Sequence, residues 1–299
     1  MDKLAPIVLF VYNRLEHTRT TIDHLLNNKL ADKSTLIIFS DGPKNENDKE
    51  KIIEVRKYIK SISGFQNVQL EFREKNLGLA NSVISGVESI LNLYNEVIVL
   101  EDDVISSPYF LTFMNNALNF YRNDKTIFSV SGYPYPIKVP ESYTKDVFIS
   151  YRPSSWGWGT WKDRWKSVDW DVSDYKYFIK DKSSQKLFER AGQDLLPMLF
   201  AQKKGQIDSW AVRWGYAHYK NAAFCLYPVL PLCKNIGTDR SGTHSSSSKK
   251  LSVDLEHSVD EINMDANVKL NTEINLKIKK LFKQSLFRRV INYFKYGFI

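Results

Sequence analysis

Three consecutive acids, Glu101-Asp102-Asp103, stand directly after the apolar run Val97-Ile98-Val99-Leu100. Carboxylates are hard oxygen ligands suited to Mg²⁺ or Mn²⁺. A cation held by one or two of them completes its shell with water and substrate phosphate, and it offsets charge on a leaving diphosphate. Three close carboxylates repel one another unless a positive charge is near. The plainer alternative is an acidic helix N-terminus that complements the helix dipole.

The elements around the triplet argue for a site. Ile7-Val8-Leu9-Phe10-Val11, Leu36-Ile37-Ile38-Phe39, Val68-Gln69-Leu70-Glu71-Phe72, Val97-Ile98-Val99-Leu100 and Ile127-Phe128-Ser129-Val130 read as strands. Helical apolar spacing lies between them: over 16–30, at Ile52, Val55, Tyr58, Ile59 and Ile62, at Leu79, Val83, Val87, Ile90, Leu91 and Tyr94, and after Pro108 at Phe110, Phe113, Met114, Ala117 and Tyr121. This alternation predicts an α/β fold with a mostly parallel, doubly wound sheet. Ligands of such sheets bind outside the carboxyl ends of the strands. Polar residues follow each of the first four strands: Tyr12-Asn13-Arg14, Ser40-Asp41-Gly42, Arg73-Glu74-Lys75-Asn76 and the triplet.

With its strand, the triplet resembles the Asp-X-Asp-type motif of GT-A glycosyltransferases. It most resembles the inverting enzymes related to N-acetylglucosaminyltransferase I and family 2-like bacterial enzymes. Other segments fit in order. Residues 6–14 resemble the first strand and nucleotide loop, and Phe39-Ser40-Asp41-Gly42 an acidic turn meeting the nucleoside. Asn76-Leu77-Gly78-Leu79-Ala80 resembles the turn that opens the third helix, and residues 154–161 the Gly-Trp segment beside the acceptor. The resemblance covers roughly residues 5–245. It implies that Asp103 ligates Mn²⁺ or Mg²⁺, that Asp102 contacts the donor sugar or ribose, and that Asp41 meets the base or ribose. Arg73 would approach the sugar or diphosphate; Tyr12, Asn13, Arg14 and Asn76 complete the donor site. Glu101 borders that site in a structural part. The implied donor is a nucleotide sugar, with UDP expected. Residues 1–132 would form a Rossmann-like nucleotide-sugar half, 133–250 the acceptor and catalytic half, and 251–299 a basic amphipathic extension.

Inverting transfer needs a carboxylate that takes the proton of the acceptor hydroxyl. Asp208 is the choice, because Asp208-Ser209-Trp210 resembles the family's acidic pair before Trp, with Ser209 in place of one acid. Asp163, Asp169 and Asp171 compete, and an ion pair with Arg213 is the purely structural alternative. A helix is expected at 184–203 ahead of it. By the same resemblance, Asn235-Ile236-Gly237-Thr238 and Ser241-Gly242-Thr243-His244 lie where the family has a loop closing over the donor. His244, in a polar Gly/Ser loop, is a candidate for the diphosphate or metal, against simple solvation. Five of the seven tryptophans lie between Trp156 and Trp170. Aromatic faces pack on pyranose rings, and Trp156 and Trp158 are the ones expected to face a glycan or lipid-linked acceptor; ordinary packing is the alternative.

Composition bounds the rest. At 43% hydrophobic and 25% charged the chain is globular. The net charge of +8 favours anionic partners, but no nucleic-acid motif accompanies it. After Glu273 there are no acids, only Lys277, Lys279, Lys280, Lys283, Arg288, Arg289 and Lys295. Ile278, Leu281, Phe282, Leu286, Val290, Tyr293 and Phe294 recur opposite them at helical spacing, which suits an interfacial helix on anionic lipid or, alternatively, a docked terminal helix. Cys225 and Cys233 read as reduced, buried thiols. The N-terminus shows no signal-peptide pattern and no run reaches about 18 apolar residues, so a cytoplasmic location, peripheral to the inner membrane face, is expected. A sugar nucleotidyltransferase lacks its Gly-rich signature here, and a non-catalytic carbohydrate binder would not need the triplet. The oligomeric state is not legible.

Overall fold

All five strands read from the first half are present in the computed structural model, which describes residues 4–237, 249–255 and 261–296. The elements begin β1 (Ile7–Val11), α1 (Leu15–Leu26), β2 (Thr35–Ser40), α2 (Glu46–Ile59), β3 (Asn67–Phe72), α3 (Leu79–Leu93) and β4 (Glu96–Glu101). They continue with β5 (Val104–Ser106), α4 (Phe110–Phe120), β6 (Ile127–Ser131), β7 (Val147–Ser150), β8 (Trp158–Trp161), α5 (Lys162–Lys166), α6 (Tyr175–Phe178) and α7 (Lys182–Phe188). Then come α8 (Leu195–Lys203), α9 (Trp210–Lys220), β9 (Phe224–Pro228), β10 (Cys233–Asn235), α10 (Thr272–Leu281) and α11 (Leu286–Tyr296).

The main sheet has eight strands in the order β3-β2-β1-β4-β8-β6-β9-β7. The first four run parallel, with Val11 beside Ser40, Ser40 beside Phe72, and Phe10 beside Glu101. Their carboxyl ends therefore leave the sheet along one edge, as the α/β reading requires. Side chains alternate between two cores. Ile7, Leu9 and Val11 pack under α1, α2 and α4, whereas Val8 and Phe10 pack under α3 and α9. A separate two-stranded sheet pairs β5 with β10, placing Asn235 opposite Val104 just past the triplet.

The Trp-Gly segment, assigned no element from the sequence, contains a strand: β8 inserts antiparallel between β4 and β6. Gly159 permits this, because a Cβ there would stand 2.8 Å from the Val97 carbonyl. The helix expected at 184–203 is two, α7 and α8, broken at Gly192 with φ +140°, a backbone conformation open mainly to glycine. The Arg152 guanidinium fixes the break by a bidentate 2.8 Å pairing with Asp194.

The C-terminal extension divides as well. Ile274 and Ile278 of α10 lie in the main core, and Asn275 donates to the Ile149 carbonyl. The chain then turns, and α11 forms a second helix with a different fate. Both cysteines are free and buried. None of the described helices is long and apolar enough to cross a membrane.

Candidate functional site

Arg14 is the hub of the strand-end cluster. It leaves β1 at the start of α1, where Thr18 donates both N–H and hydroxyl to its carbonyl. This fixes the backbone and sends the guanidinium across to β4. Its Nη2 donates to Asp102 Oδ1 and, at 2.9 Å, to Asp103 Oδ2. Asp102 and Asp103 are both buried. Thr21 holds Asp102 from below by donating to its carbonyl at 2.8 Å.

One cation thus serves two acids, and the third is handled differently. Burial, then the negative charges of Asp103 and Asp102, push the Glu101 carboxyl up to about 8. Of the three acids Glu101 is thus the one pushed furthest toward its neutral form, which relieves the repulsion expected of three adjacent carboxylates. Burial also raises Asp102, to about 6, although Arg14 pulls it down. Arg14 itself is driven up by the two acids, against the effect of burial. Its Nη1 is buried and has no hydrogen-bond partner. A guanidinium with an idle buried donor is set up to receive an anion.

The loop after β10 closes the other side. Asn235 donates to Asp103 Oδ1 at 2.8 Å, the Ile236 amide donates to the Asp103 carbonyl at 2.8 Å, and the Gly237 amide donates to Asn235 Oδ1. A Cβ on Gly237 would lie 2.2 Å from Asp103 Oδ2 and 3.1 Å from Arg14 Nη1, so only glycine lets the backbone pass this close.

Could the triplet hold a divalent cation? Among the described residues no three carboxylate, imidazole or thiolate groups converge, so there is no closed protein cage. A hard cation shared with substrate phosphates needs only one or two carboxylates. Asp103 fits that arrangement: it is the more open of the buried pair, and its Oδ2 accepts from Arg14. His244 lies outside the described residues.

The neighbouring strand ends form a connected wall. Both Asp41 oxygens accept from the Leu77 amide at 3.1 Å, and Asn76 bridges the Gly42 carbonyl and the Gly78 amide. Tyr12 and Asn13 both donate to Asp48 of α2, at 2.9 and 2.8 Å. Burial lifts the Tyr12 hydroxyl to about 12, so it stays protonated. Arg56 ties the ends of β2 and β3 by donating to the carbonyls of Ser40, Asp41 and Arg73. Arg73 is directed elsewhere than expected: its guanidinium donates to Ser82 and Ser85 of α3 and lies over Phe39.

Asp208 joins this wall from the loop between α8 and α9. A Cβ on Gly78 would stand 3.9 Å from Asp208 Oδ2, so the carboxylate lies next to the Leu77-Gly78 turn that Asp41 grips. Its other oxygen accepts from Arg213 at 3.1 Å, and its side chain is 55% exposed. Ser209 caps α9 by accepting from the Val212 amide, a reason of its own for a serine there. The rival acids are placed less well. Asp163 follows β8 at the opposite sheet edge, where Trp161 pairs with Glu96, and is bound by Lys125 and Arg164. Asp169 serves its own turn through the Asp171 and Ser173 amides, and Asp171 is exposed beyond it.

The tryptophans separate by role. Trp158 is fully buried, stacked on Trp165 and Trp210 with centroids 5.6 and 5.1 Å apart, and presents no ring face to an acceptor. The alternating pleat of β8 turns it into the core beneath α9. Trp156 precedes β8 at the triplet's edge, half-buried and edge-on to Tyr133 at 4.5 Å. Sequence reasoning missed Asp48 and Arg56 as parts of the site; on α2 they look like ordinary helix-surface charges. The Asn235-Ile236-Gly237 turn, expected to lie over the donor, packs against Asp103.

No family model and no curated protein matches the chain. Among solved structures it is similar to a mannosyltransferase from Pyrobaculum calidifontis in complex with GDP-mannose and Mn²⁺, at 12% identity and a TM-score of 0.40, over 74% of this chain and 72% of that one. It is also similar to residues 1–349 of TarS from S. aureus (12%, 0.35, over 54% and 48%). A third is described as a nucleotide-diphospho-sugar transferase from Desulfovibrio desulfuricans G20 (14%, 0.31, over 59% and 75%). At such identities and TM-scores these likenesses carry no argument of their own, and the chemistry has to be read from the site.

Proposed function

We propose that the chain is a glycosyltransferase of the GT-A kind. It would move a hexosyl or N-acetylhexosaminyl group from a nucleotide sugar, a UDP-sugar by preference, to a glycan or lipid-linked glycan. The observation that carries this reading is the half-buried Arg14 guanidinium, which bridges Asp102 and Asp103 at the strand-end edge and keeps one buried donor unpartnered. That constellation suits a diphosphate joined to a hydroxyl-rich sugar: a cation for the phosphates, beside carboxylates that accept from hydroxyls.

The roles follow from position. Arg14 Nη1 faces the diphosphate and offsets the charge that grows on its leaving oxygen. Asp102, held by Arg14, accepts from sugar or ribose hydroxyls. Asp41, Asn76 and the wall built by Tyr12, Asn13 and Asp48 receive the nucleoside. Asp208 takes the acceptor hydroxyl proton while that oxygen attacks the anomeric carbon; the bond to the diphosphate breaks and the configuration inverts. A divalent cation on Asp103, Mn²⁺ or Mg²⁺, would share the diphosphate charge when bound. Trp156 lies on the acceptor side. Synthesis of surface polysaccharide or glycoconjugate in the bacterial cytoplasm is the setting this chemistry suits.

A thermal-shift panel of nucleotide sugars with and without Mn²⁺ tests the donor site, since a ligand of the folded state raises apparent stability. One nucleotide sugar is expected to stand out; a flat panel would reject the reading. Asp208→Asn is expected to keep that shift and lose transfer. Near-normal turnover in the variant would move the base elsewhere.

A further inference from the structure

The C-terminal helix α11 turns its apolar side away from the protein. Phe287 is 76% and Phe294 82% exposed, and Leu286, Val290 and Ile291 are exposed with them. At 3.6 residues per turn these five fall within an arc of roughly 140°. Arg288 and Lys295, both exposed, lie together beyond the Ile291 edge of that arc, and exposed Lys283 precedes the helix. No acidic residue follows Glu273 in the sequence.

The opposite side of the helix is fastened down. Asn292 donates to Gln284 at 2.7 Å, and the Gln284 amide donates to Gln193. Tyr296 packs on Phe200 of α8 and donates to Gln206 at 3.3 Å, while Lys204 donates to the Lys295 carbonyl. Just before α11, Phe282 lies under the Arg152 guanidinium at 3.5 Å. The apolar face is therefore presented outward by a helix held on its other side.

We infer that α11 is an in-plane docking surface for an anionic lipid bilayer. The charge pattern selects this occupant. A second copy of the chain would add its own Lys283, Arg288 and Lys295 to the contact with no acid of this segment to meet them, whereas anionic headgroups neutralise these cations and the acyl boundary receives the phenylalanines. The contact with Gln206 adds a consequence, because Gln206 lies two residues before Asp208. Docking through α11 sets the loop of the proposed base behind the helix, about 10 Å (one helix diameter) from the bilayer, within reach of an acceptor of the lipid-anchored class. This last step rests on the proposed transfer reaction; the lipid docking does not.

Co-sedimentation of the full chain with vesicles tests the docking independently of any transfer assay. At about 0.1 M salt, where surface charges still act over about 10 Å, the protein is expected to pellet with phosphatidylglycerol-containing vesicles. Binding should fall at least about tenfold on pure phosphatidylcholine or at high salt. Phe287→Ser with Phe294→Ser should lose at least about tenfold with an unchanged unfolding midpoint, since both rings are exposed. Arg288→Gln with Lys295→Gln should lose the preference for anionic lipid. Equal pelleting with and without vesicles overturns the inference, as does wild-type binding by the double serine variant. A lipid-free dimer that the serine substitutions convert to monomer also overturns it, in favour of a second copy. Vesicle binding without donor binding would retain the docking and reject the proposed reaction.

Discussion

At the scale of single residues, the site depends on how closely a few groups approach. Gly237→Ala would drive a methyl into Asp103 Oδ2 and crowd Arg14 Nη1. The variant is expected to fold normally and to bind the donor at least about tenfold more weakly, about 1.4 kcal/mol, by calorimetric titration; unaltered affinity would detach this loop from the donor site. Arg14→Met leaves Asp102 and Asp103 buried without their cation, and removing one partner of a buried ion pair costs about 3–5 kcal/mol. A lowered urea midpoint together with lost donor binding is the expected result. Much of this scale was legible in sequence, because residues just past parallel strands must gather at one edge: Arg14, Asp41, Asn76 and the triplet did so. Residue type misled where packing had a prior use for the side chain. Arg73 is engaged by Ser82 and Ser85, and Trp158 is enclosed by other indoles. Asn235 is separated from Asp103 by 132 positions, a pairing that local pattern does not encode.

Elements were read well where the period was clean. The strands of the first half and the helices between them carry continuous apolar runs or 3.6-residue spacing, and nothing in their surroundings overrides it. The Trp-Gly stretch has no such period, since β8 sets Trp158 and Trp161 on either side of Gly159 and Thr160. Its strand character comes from the slot between β4 and β6. Gly159→Ala tests that slot. Its methyl would meet the Val97 carbonyl at 2.8 Å, a backbone atom that cannot rotate away. A loss of about 1–3 kcal/mol is expected from overpacking, read as a lower denaturant midpoint; a neutral effect would mean that β4 and β8 adjust more freely than their register implies.

At the scale of the whole molecule, the two cores meet the sheet from opposite faces, and His218 is buried within the aromatic one. Its Nδ1 lies 2.9 Å from the Trp214 carbonyl, which can only accept, so Nδ1 carries the proton and Nε2 accepts from the Ser129 hydroxyl. Burial lowers the imidazole to about 4, with the Trp214 contact acting the other way. The unfolded chain, at about 6.5, therefore binds a proton that the folded chain refuses between those two values. Stability should fall as pH drops from about 6.5 to about 4, by about 3 kcal/mol, and level off below. His218→Gln should remove that part of the slope in urea titrations across the window; parallel slopes for both proteins would contradict it. The same core has an optical consequence. Trp158, Trp165, Trp170, Trp210 and Trp214 lie with neighbouring ring centroids 4.6–6.3 Å apart. Indoles this close share their electronic excitation, which gives split circular-dichroism bands and quenched emission. Because Trp210 opens the helix that follows Asp208, the assembly of the segment that carries the proposed base can be followed by light alone, without a label.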